Sequence, residues 1–214
     1  MKHIKHIFWD WNGTLLDDVD LCVSVTCGML REKPGIELTR DTYLSEFGFP
    51  VIDFYREVGL ELQDHEYAEV ANQWIQTYRD GLTENGALHS GVIDTLVQLN
   101  QLGFKQSILS ACEKNLLDHA LDHYGITHHF HTVHGVSDNK ADGKAALAKS
   151  AVTQTLHDSH ECVLIGDTDH DYEVAHAAGI HCVLIAHGHQ DKARLEKTGA
   201  TVLNNIHEII DLLS

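Results

Sequence analysis

The chain has 214 residues, of which 43% are hydrophobic and 22% are charged, so it is long and apolar enough to bury one substantial core or a core with a satellite lobe. Its 15 Lys and Arg residues against 32 Asp and Glu residues give a formal net charge of -17, which repels duplex nucleic acid and anionic membranes. These values argue against a disordered or fibrous chain and against a nucleic-acid-binding protein.

Cysteine usage indicates a reducing compartment, and hydropathy gives no sign of a membrane span or a signal peptide. The five cysteines form no CxxC pair and no metal-finger spacing, so we expect them to be reduced thiols. No apolar run approaches about 18 residues, and the N-terminus lacks the apolar stretch of a signal peptide. We therefore expect a cytoplasmic protein without a membrane span, a monomer or weak homodimer whose partner is a small molecule rather than nucleic acid.

Short apolar runs alternate with helical patterns along the chain. The runs are dense in Ile, Val, Leu and Phe, as in strands that are covered on both faces, and they lie at 4–9, 104–109, 129–133, 162–165, 182–185 and 201–203. Two of the helical stripes between or after them are Val92, Leu96, Leu99 and Leu102, which ends at Gly103, and Ile206, Ile209, Ile210 and Leu213. This alternation predicts an α/β fold with a doubly wound parallel sheet.

Residues 18–88 interrupt this rhythm with helical patterns and no convincing strand. Seven apolar or aromatic residues keep a 3.6-residue period over four turns: Tyr67, Val70, Ala71, Trp74, Ile75, Tyr78 and Leu82. We predict a small α-helical cap domain at 18–88, inserted after the first strand of a core domain formed by 1–17 and 89–214. Because ligands of open α/β sheets bind at the carboxyl ends of the strands, the cap would overhang the site.

Two predicted strands end in acidic residues. Asp10 follows the first strand and precedes the turn Asn12-Gly13, where it is either a rigidly held nucleophile or an ordinary turn residue. The fourth run leads into Asp167, Asp169 and Asp171, which form either a cluster that needs a cation or a solvated helix cap. Hard oxygen ligands favour Mg²⁺.

Taken together, these motifs resemble the haloacid dehalogenase superfamily, in its phosphatase branch with a helical cap. The matching pieces, in chain order, are DWNGTLLD (10–17), the strand end Ile108-Leu109-Ser110, Lys144 and GDTDHDYEVAHAAG (166–179). His89-Ser90-Gly91-Val92 is similar to the segment that re-enters the core after the cap, although the usual proline is absent. The resemblance covers essentially the whole chain and is closest to the branch that holds phosphoglycolate phosphatase and its sugar-phosphate relatives.

The resemblance implies a chemistry for the matching residues. Asp10 would attack phosphorus and form an aspartyl phosphate. Mg²⁺ held by Asp10, the carbonyl of Asn12, Asp167 and Asp171 would offset the repulsion between the nucleophile and the phosphate. Phosphate would be bound by Ser110 and Lys144 and by donors around Gly13, Thr14 and Ala111. Lys140 is a rival to Lys144 because the usual prolines around the lysine are missing.

Asn12 departs from the family pattern, which has a second aspartate two residues after the nucleophile as general acid and base. An amide cannot exchange that proton, and general acid–base catalysis is worth roughly 10²–10⁴-fold. Three hypotheses follow. The protein is a phosphatase that uses good leaving groups or another acid, a weakly catalytic binder of a phosphorylated metabolite, or a phosphotransferase or mutase that retains its phosphoenzyme.

Several other residues are candidates for lesser roles. The possible replacement acids are His65, His89, His170 and His187. The histidine-rich stretches 128–131 and 187–189 are interpreted as solvated imidazoles rather than a zinc site, since no Cys or carboxylate completes a ligand set. Tyr67, Trp74 and Tyr78 are expected in the core of the cap.

Substrate choice is expected to depend on the cap and on the residue after the nucleophile. The candidates for contact with the leaving group are Trp11, Phe49 and Arg56, the last of which would bind a carboxylate or a second phosphate. Overall the sequence predicts a Mg²⁺-dependent hydrolase of small phosphate monoesters.

Overall fold

The computed structural model describes residues 1–30, 37–60, 62–63, 65–136 and 143–214. Its strands form one parallel six-stranded sheet, in the order β5-β4-β1-β6-β7-β8, and one antiparallel pair, β2-β3. In chain order the strands are β1 (His6–Trp9), β2 (Leu16–Asp17), β3 (Ala87–Leu88), β4 (Lys105–Glu113), β5 (Thr132–Val136), β6 (Cys162–Gly166), β7 (His181–Ile185) and β8 (Thr201–Leu203). The prediction of a doubly wound α/β fold is confirmed.

Helices precede or follow each strand of the large sheet. In chain order the α-helices are α1 (Val19–Leu30), α2 (Arg40–Glu46), α3 (Val51–Glu57), α4 (Tyr67–Asn85), α5 (Val92–Gln101), α6 (Lys114–His123), α7 (Gly143–Thr153), α8 (Asp169–Ala178), α9 (Lys192–Glu196) and α10 (Glu208–Leu213). No helix among the described residues is both long and apolar enough to cross a membrane.

Strands β1 and β6 are buried on both faces, which explains why apolar residues predominate in them. In β1 the side chains of Ile7 and Trp9 join a hydrophobic cluster with helices α5, α6 and α10, whereas Phe8 points to the opposite face and joins a cluster with α7 and α8. The sheet therefore has helices on both faces. Its strand order places β1 between β4 and β6, where the winding changes direction, and such a switch point opens a crevice at the carboxyl ends of the strands.

Residues 18–88, the segment predicted to form the cap, contain α1 to α4 and a hydrophobic cluster of their own. Helix α4 carries the seven-residue stripe predicted from the sequence, and Gly48 and Pro50 lie in the break between α2 and α3. The cap leaves and rejoins the core through β2 and β3, which pair Leu16 with Leu88 and Asp17 with Ala87. Two-residue strands carry no periodic signal, so the sequence did not reveal this pair.

Two details of the predicted core are corrected. The run at 129–133 begins too early, because His129 belongs to a 3₁₀ turn (Thr127–His129) and the strand starts at Thr132. Leu102 continues the periodicity of α5 but lies beyond its last residue, where 51% of it is exposed.

Leu96 and Leu102 make a matched test of this core. Leu96 is fully buried, so Leu96→Ala should lower the free energy of unfolding by about 2–5 kcal/mol through lost burial and a residual cavity. Leu102→Ala should change it by no more than about 0.5 kcal/mol. Urea denaturation of both variants measures the difference, and equal losses would contradict the assignment of α5.

Candidate active site

Three side chains singled out by the sequence meet at one edge of the large sheet. Asp10 follows β1, Ser110 lies near the carboxyl end of β4, and Asp167 follows β6. Because β4 and β6 are the two neighbours of β1, these residues sit side by side at the switch point of the sheet. All three are buried.

Lys144, the second residue of α7, lies between Asp10 and a further buried carboxylate, Asp171. Its Nζ donates to Asp10 Oδ1 at 2.7 Å and to Asp171 Oδ1 at 2.6 Å, and the residue is only 2% exposed. Burial opposes the charged ammonium, but the negative charges of Asp10 and Asp171 outweigh it and raise the pKa of Lys144. The structure thus brings Lys144 to the site, whereas its rival Lys140 lies outside the described residues.

Asp171 is fixed by the start of α8. Its Oδ2 accepts hydrogen bonds from the backbone N–H groups of Asp167 and Thr168 and from the Thr168 hydroxyl, in a capping box with Thr168 as N-cap. Burial alone would raise the pKa of Asp171, but the charge of Lys144 and these donors hold it below its usual value. Asp171 therefore stays ionised and orients the lysine.

Asp10 and Asp167 are held in a crowded, buried environment. Burial raises the pKa of Asp10 to about 6 against the pull of Lys144, with the Asp171 charge adding to the rise. Burial also raises the pKa of Asp167 to about 7, opposed by His189 and reinforced by the charges of Asp171 and Asp10. Carboxylate oxygens of Asp10, Asp167 and Asp171 lie within 4.8 Å of one another, close enough to share one cation.

His189 forms a second buried ion pair, which the sequence analysis missed. Its Nε2 lies 3.2 Å from Asp18 Oδ1, its Nδ1 lies 3.0 Å from the Tyr43 hydroxyl, and its backbone N–H donates to Asp167 Oδ2 at 2.7 Å. Burial lowers the pKa of His189, but Asp18 outweighs it and the pKa rises to about 9. The interpretation of His189 as a solvated imidazole is wrong. Its position just past β7, at the same sheet edge as Asp10 and Asp167, could have indicated from the sequence that it lies near the site.

Asp18 anchors the loop that follows Asp10 by accepting hydrogen bonds from it. It accepts from Asn12 Nδ2 at 2.7 Å, from the Gly13 backbone N–H at 2.9 Å and from the Tyr78 hydroxyl at 2.6 Å. Burial alone would raise its pKa, but His189 and these donors lower it. The Gly13 N–H expected to bind phosphate is thus already bonded to Asp18.

The loop between Asp10 and Asp18 is tightly packed. Gly13 has φ of 71°, and a Cβ there would clash with the Asp167 carboxylate, so only glycine fits. The Thr14 hydroxyl donates to Asp167 Oδ1 at 2.6 Å and the residue is fully buried. The Thr14 hydroxyl thus orients a carboxylate, and the phosphate contact expected at Thr14 stays a prediction for its backbone N–H.

A cavity of about 220 Å³ opens between this sheet edge and the cap. Asp10, Asn12, Ser110, Ala111 and Lys144 line it. Ser110 Oγ accepts from the backbone N–H of Cys112 at 3.1 Å, which fixes the hydroxyl beside Asp10.

The three predicted specificity residues are placed differently. Phe49 lines the cavity, with its ring 4.6 Å from the ring of His170. Trp11 does not line it, because the indole points into the hydrophobic core, is 1% exposed and packs near Tyr124. Arg56 does not line it either, since it pairs with Asp53 and donates to the Leu62 carbonyl on the outside of the cap. The expected substrate contacts of Trp11 and Arg56 are corrected accordingly.

The four histidines considered as replacement acids occupy different positions. His89 and His187 stack with ring centroids 3.8 Å apart, and each Nε2 lies 3.0 Å from a backbone carbonyl of the loop, Gly13 for His89 and Thr14 for His187. Burial lowers the pKa of both, to about 4 for His187, so they act as neutral supports. His65 is exposed, whereas His170 lines the cavity and its buried Nε2 has no hydrogen-bond partner among the described residues.

Comparisons with known proteins place this site in a family. Residues 7–185 match the family described as haloacid dehalogenase-like hydrolase. The chain is 25% identical over 224 residues to a phosphoglycolate phosphatase of Chromobacterium violaceum, across 100% of this chain and 98% of that protein. It is 26% identical over 211 residues to the tyrosine-protein kinase PtkA of Mycobacterium tuberculosis, across 96% of this chain and 70% of that protein.

A solved structure shows the same fold. A haloacid dehalogenase-like family hydrolase from Streptococcus pneumoniae aligns with a TM-score of 0.84 and 20% identity over 99% of both chains. The family match and the phosphatase relatives agree with the predicted enzyme class, a phosphoric monoester hydrolase. Since the match runs from the first strand of the sheet through β7 and includes both acidic strand ends, the chain belongs to the haloacid dehalogenase-like hydrolases.

Proposed function

We propose that this protein is a Mg²⁺-dependent phosphatase that hydrolyses a small phosphate monoester through an aspartyl phosphate on Asp10. The observation that carries the proposal is the buried contact of Asp10 with Lys144, beside Asp167 and in the wall of the cavity. A carboxylate held next to a fixed ammonium can receive an anionic phosphoryl group, which an isolated buried carboxylate would repel.

The charges of the described site fit a divalent cation. Four buried carboxylates, Asp10, Asp18, Asp167 and Asp171, face two buried cations, Lys144 and His189, which leaves an excess of two negative charges when all four carboxylates are ionised. Asp10 and Asp167, with the backbone carbonyl of Asn12, would hold Mg²⁺, whose hard-oxygen preference they satisfy. When bound, the ion would neutralise repulsion between nucleophile and phosphate and orient both.

The chain's own residues then have distinct tasks. An Asp10 oxygen attacks phosphorus, the ester P–O bond breaks, and its electron pair leaves with the substrate oxygen. Lys144 and Ser110 bind the phosphoryl oxygens that gain charge in the transition state. Asp171 keeps Lys144 charged and aimed at Asp10. Water then cleaves the aspartyl phosphate and restores the enzyme.

The position that normally supplies the acid and base holds an amide in this chain. Asn12 Nδ2 is bonded to Asp18 and to the Tyr78 hydroxyl, at 2.7 and 2.8 Å. Asp18 is ionised and accepts hydrogen bonds from several groups, so it has no proton to give to a leaving group. Leaving-group departure is therefore unassisted by the residue at position 12, and hydrolysis of the aspartyl phosphate lacks its usual base.

This amide also favours a second candidate function, phosphotransfer. An aspartyl phosphate that reacts slowly with water survives long enough to meet another acceptor, and one relative of this chain bears the name of a tyrosine kinase. Slow turnover by the same site would instead leave a binder of phosphorylated metabolites. The phosphatase, the phosphotransferase and the binder would all use Asp10. They differ in whether the phosphoryl group passes to water, passes to another acceptor or stays on the bound metabolite.

A panel of phosphate monoesters with Mg²⁺ tests the proposed function. Hydrolysis that Asp10→Asn reduces at least about 10³-fold, and that chelation abolishes, supports the phosphatase. The matched control is Asp211→Asn, an exposed carboxylate on α10, which should retain full activity. Binding without turnover would indicate the binder, and product phosphorylated at a new position would indicate the transferase.

Stabilisation by Mg²⁺ should depend on pH. Because the folded-state pKa values of Asp10 and Asp167 are raised to about 6 and about 7, proton uptake stabilises the metal-free fold at low pH, and this stability is lost as the pH rises through those values. Mg²⁺ needs the ionised carboxylates, so its increase of Tm should be larger at about pH 8 than at about pH 5.5. Thermal unfolding with and without Mg²⁺ measures both effects.

The same measurement on variants locates the ion. Asp167→Asn should remove most of the Mg²⁺-dependent increase in Tm, while Asp211→Asn should keep it. A Mg²⁺ effect that is the same at both pH values, or that survives in Asp167→Asn, would contradict this assignment.

Exchanging two neighbouring side chains should restore the missing acid. Asn12→Asp alone would set a carboxylate against Asp18, whose Oδ2 lies 2.7 Å from the present amide nitrogen. For this single variant we therefore expect a lower free energy of unfolding and only a small gain in kcat. The double variant Asn12→Asp/Asp18→Asn keeps a hydrogen-bond donor and an acceptor at positions 12 and 18, with the two side chains exchanged. It should raise kcat toward esters of poor leaving groups by roughly 10²–10⁴-fold.

Steady-state kinetics on alkyl and aryl phosphates measures this gain, with Asp18→Asn alone as the control. If the folded double variant is no faster than the natural protein on alkyl esters, the explanation given for Asn12 is wrong.

A further inference from the structure

The cavity has two chemically different ends. One end holds Asp10, Lys144 and Ser110, where the phosphoryl group would react. The other end is formed by the cap, and its wall is rich in aromatic rings: Phe47, Phe49, Phe54, Tyr55, Tyr67 and Trp74. The sequence analysis assigned Tyr67 and Trp74 to the core of the cap, but both are only partly buried and also line this space.

The polar atoms on the cap side are mostly bonded within the protein. The hydroxyl of Tyr43 contacts His189, the hydroxyl of Tyr78 donates to Asp18, and Trp74 Nε1 donates to the Thr26 hydroxyl. What these residues present to the cavity is therefore largely ring surface. Such a wall stabilises an aromatic group through apolar burial and ring–ring contacts.

The cap offers little to a second anionic group. Among the described residues that line the cavity, Arg79 is the one cation contributed by the cap, and it lies 3.4 Å from Glu113. Arg56, the cation predicted to bind a carboxylate or phosphate, is outside the cavity. Apart from Arg79, the described cap residues that line the cavity offer no cation to a negatively charged leaving portion, which would lose hydration at the aromatic wall.

The size of the cavity fits one ring. A cavity of about 150 Å³ lined by apolar side chains holds benzene. The present cavity measures about 220 Å³, which leaves room for a phosphoryl group beside Asp10 as well as a single aromatic ring against Phe49 and Trp74.

The amide at position 12 points to the same class of substrate. With an amide in place of the usual carboxylic acid at position 12, the leaving oxygen gets no proton from that residue and carries more of its negative charge away. A phenol, with a pKa of about 10, releases its anion far more readily than an alcohol, which is closer to water at about 15.7. The wall of the cavity and the residue beside the nucleophile thus select the same leaving group independently.

We propose that the substrate is the phosphate monoester of a small, single-ring phenol whose ring lies against the aromatic wall of the cap; this inference rests on the proposed phosphatase function. An oxygen of Asp10 forms a bond to phosphorus while the bond between phosphorus and the aryl oxygen breaks. The electron pair of that bond leaves on the phenolate, which takes a proton from solvent. Water then hydrolyses the aspartyl phosphate, so that the net products are the phenol and inorganic phosphate.

Phosphonates test ring binding without turnover. Phenylphosphonate and methylphosphonate carry the same anionic head and differ in the group that would face the cap. Isothermal titration with Mg²⁺ present should give a Kd at least tenfold lower for phenylphosphonate. Equal affinities, or no binding of either compound, would overturn the proposed substrate class.

One helix supplies a matched pair of variants. Ala71 lines the cavity and Ala68 is exposed three residues earlier, both on α4. Ala71→Trp should fill the ring site and reduce the preference for phenylphosphonate at least tenfold, while Ala68→Trp should keep it. Circular dichroism and Tm establish that both variants fold, and a preference that Ala71→Trp leaves intact would place the ring elsewhere and overturn the inference.

Kinetics separates this inference from the proposed function. Phenyl phosphate should have a higher kcat/KM than trifluoroethyl phosphate, an alkyl ester with an acidic alcohol, and Ala71→Trp should lower the ratio of the two. Mg²⁺-dependent hydrolysis of acetyl phosphate without any ring preference would overturn the substrate class and leave the phosphatase standing. Failure to hydrolyse acetyl phosphate or any ester would overturn the phosphatase and this inference with it.

Discussion

Crowding of like charge at the carboxyl ends of β1 and β6 is the constraint on which the rest of the site depends. Asp10, Asp167 and Asp171 are buried together, and neither burial nor proximity favours three ionised carboxylates. Lys144 neutralises part of this charge from one side and His189 from the other. Everything that positions these two cations, including the capping box of α8 and the backbone contact of His189 with Asp167, serves the same electrostatic balance.

The second ion pair also joins the cap to the core. Asp18 stands at the first residue of the cap, and its carboxylate ties the loop of Asn12 and Gly13 to Tyr78 on α4 and to His189 beyond β7. A movement of the cap that displaced Asp18 or Tyr78 would therefore displace Asn12, close to Asp10, through direct hydrogen bonds. The geometry of the reacting end and the shape of the aromatic end of the cavity are coupled by one carboxylate.

The structure gives a reason for the amide at position 12. The amide of Asn12 donates to Asp18, whereas a carboxylate at position 12 would repel Asp18, so the amide stabilises a buried network. Under the proposed function, the same amide leaves the reaction to leaving groups that depart without help from position 12. The stacked neutral rings of His89 and His187 support the same loop from its carbonyl side.

The sequence by itself determined the sheet, the helical insertion and the acidic strand ends, because unbroken apolar runs, helical periodicity and residues at strand ends are local signals. It also pointed to Lys144 and Ser110 through their resemblance to a family, and the structure brings both to the cavity. Only the tertiary structure decided that Trp11 packs inward, that Thr14 orients Asp167, and that Asp18 and His189 form a buried pair across 171 positions of the chain. Such choices depend on which side chains meet after folding, and no local pattern encodes a partner so far away along the chain.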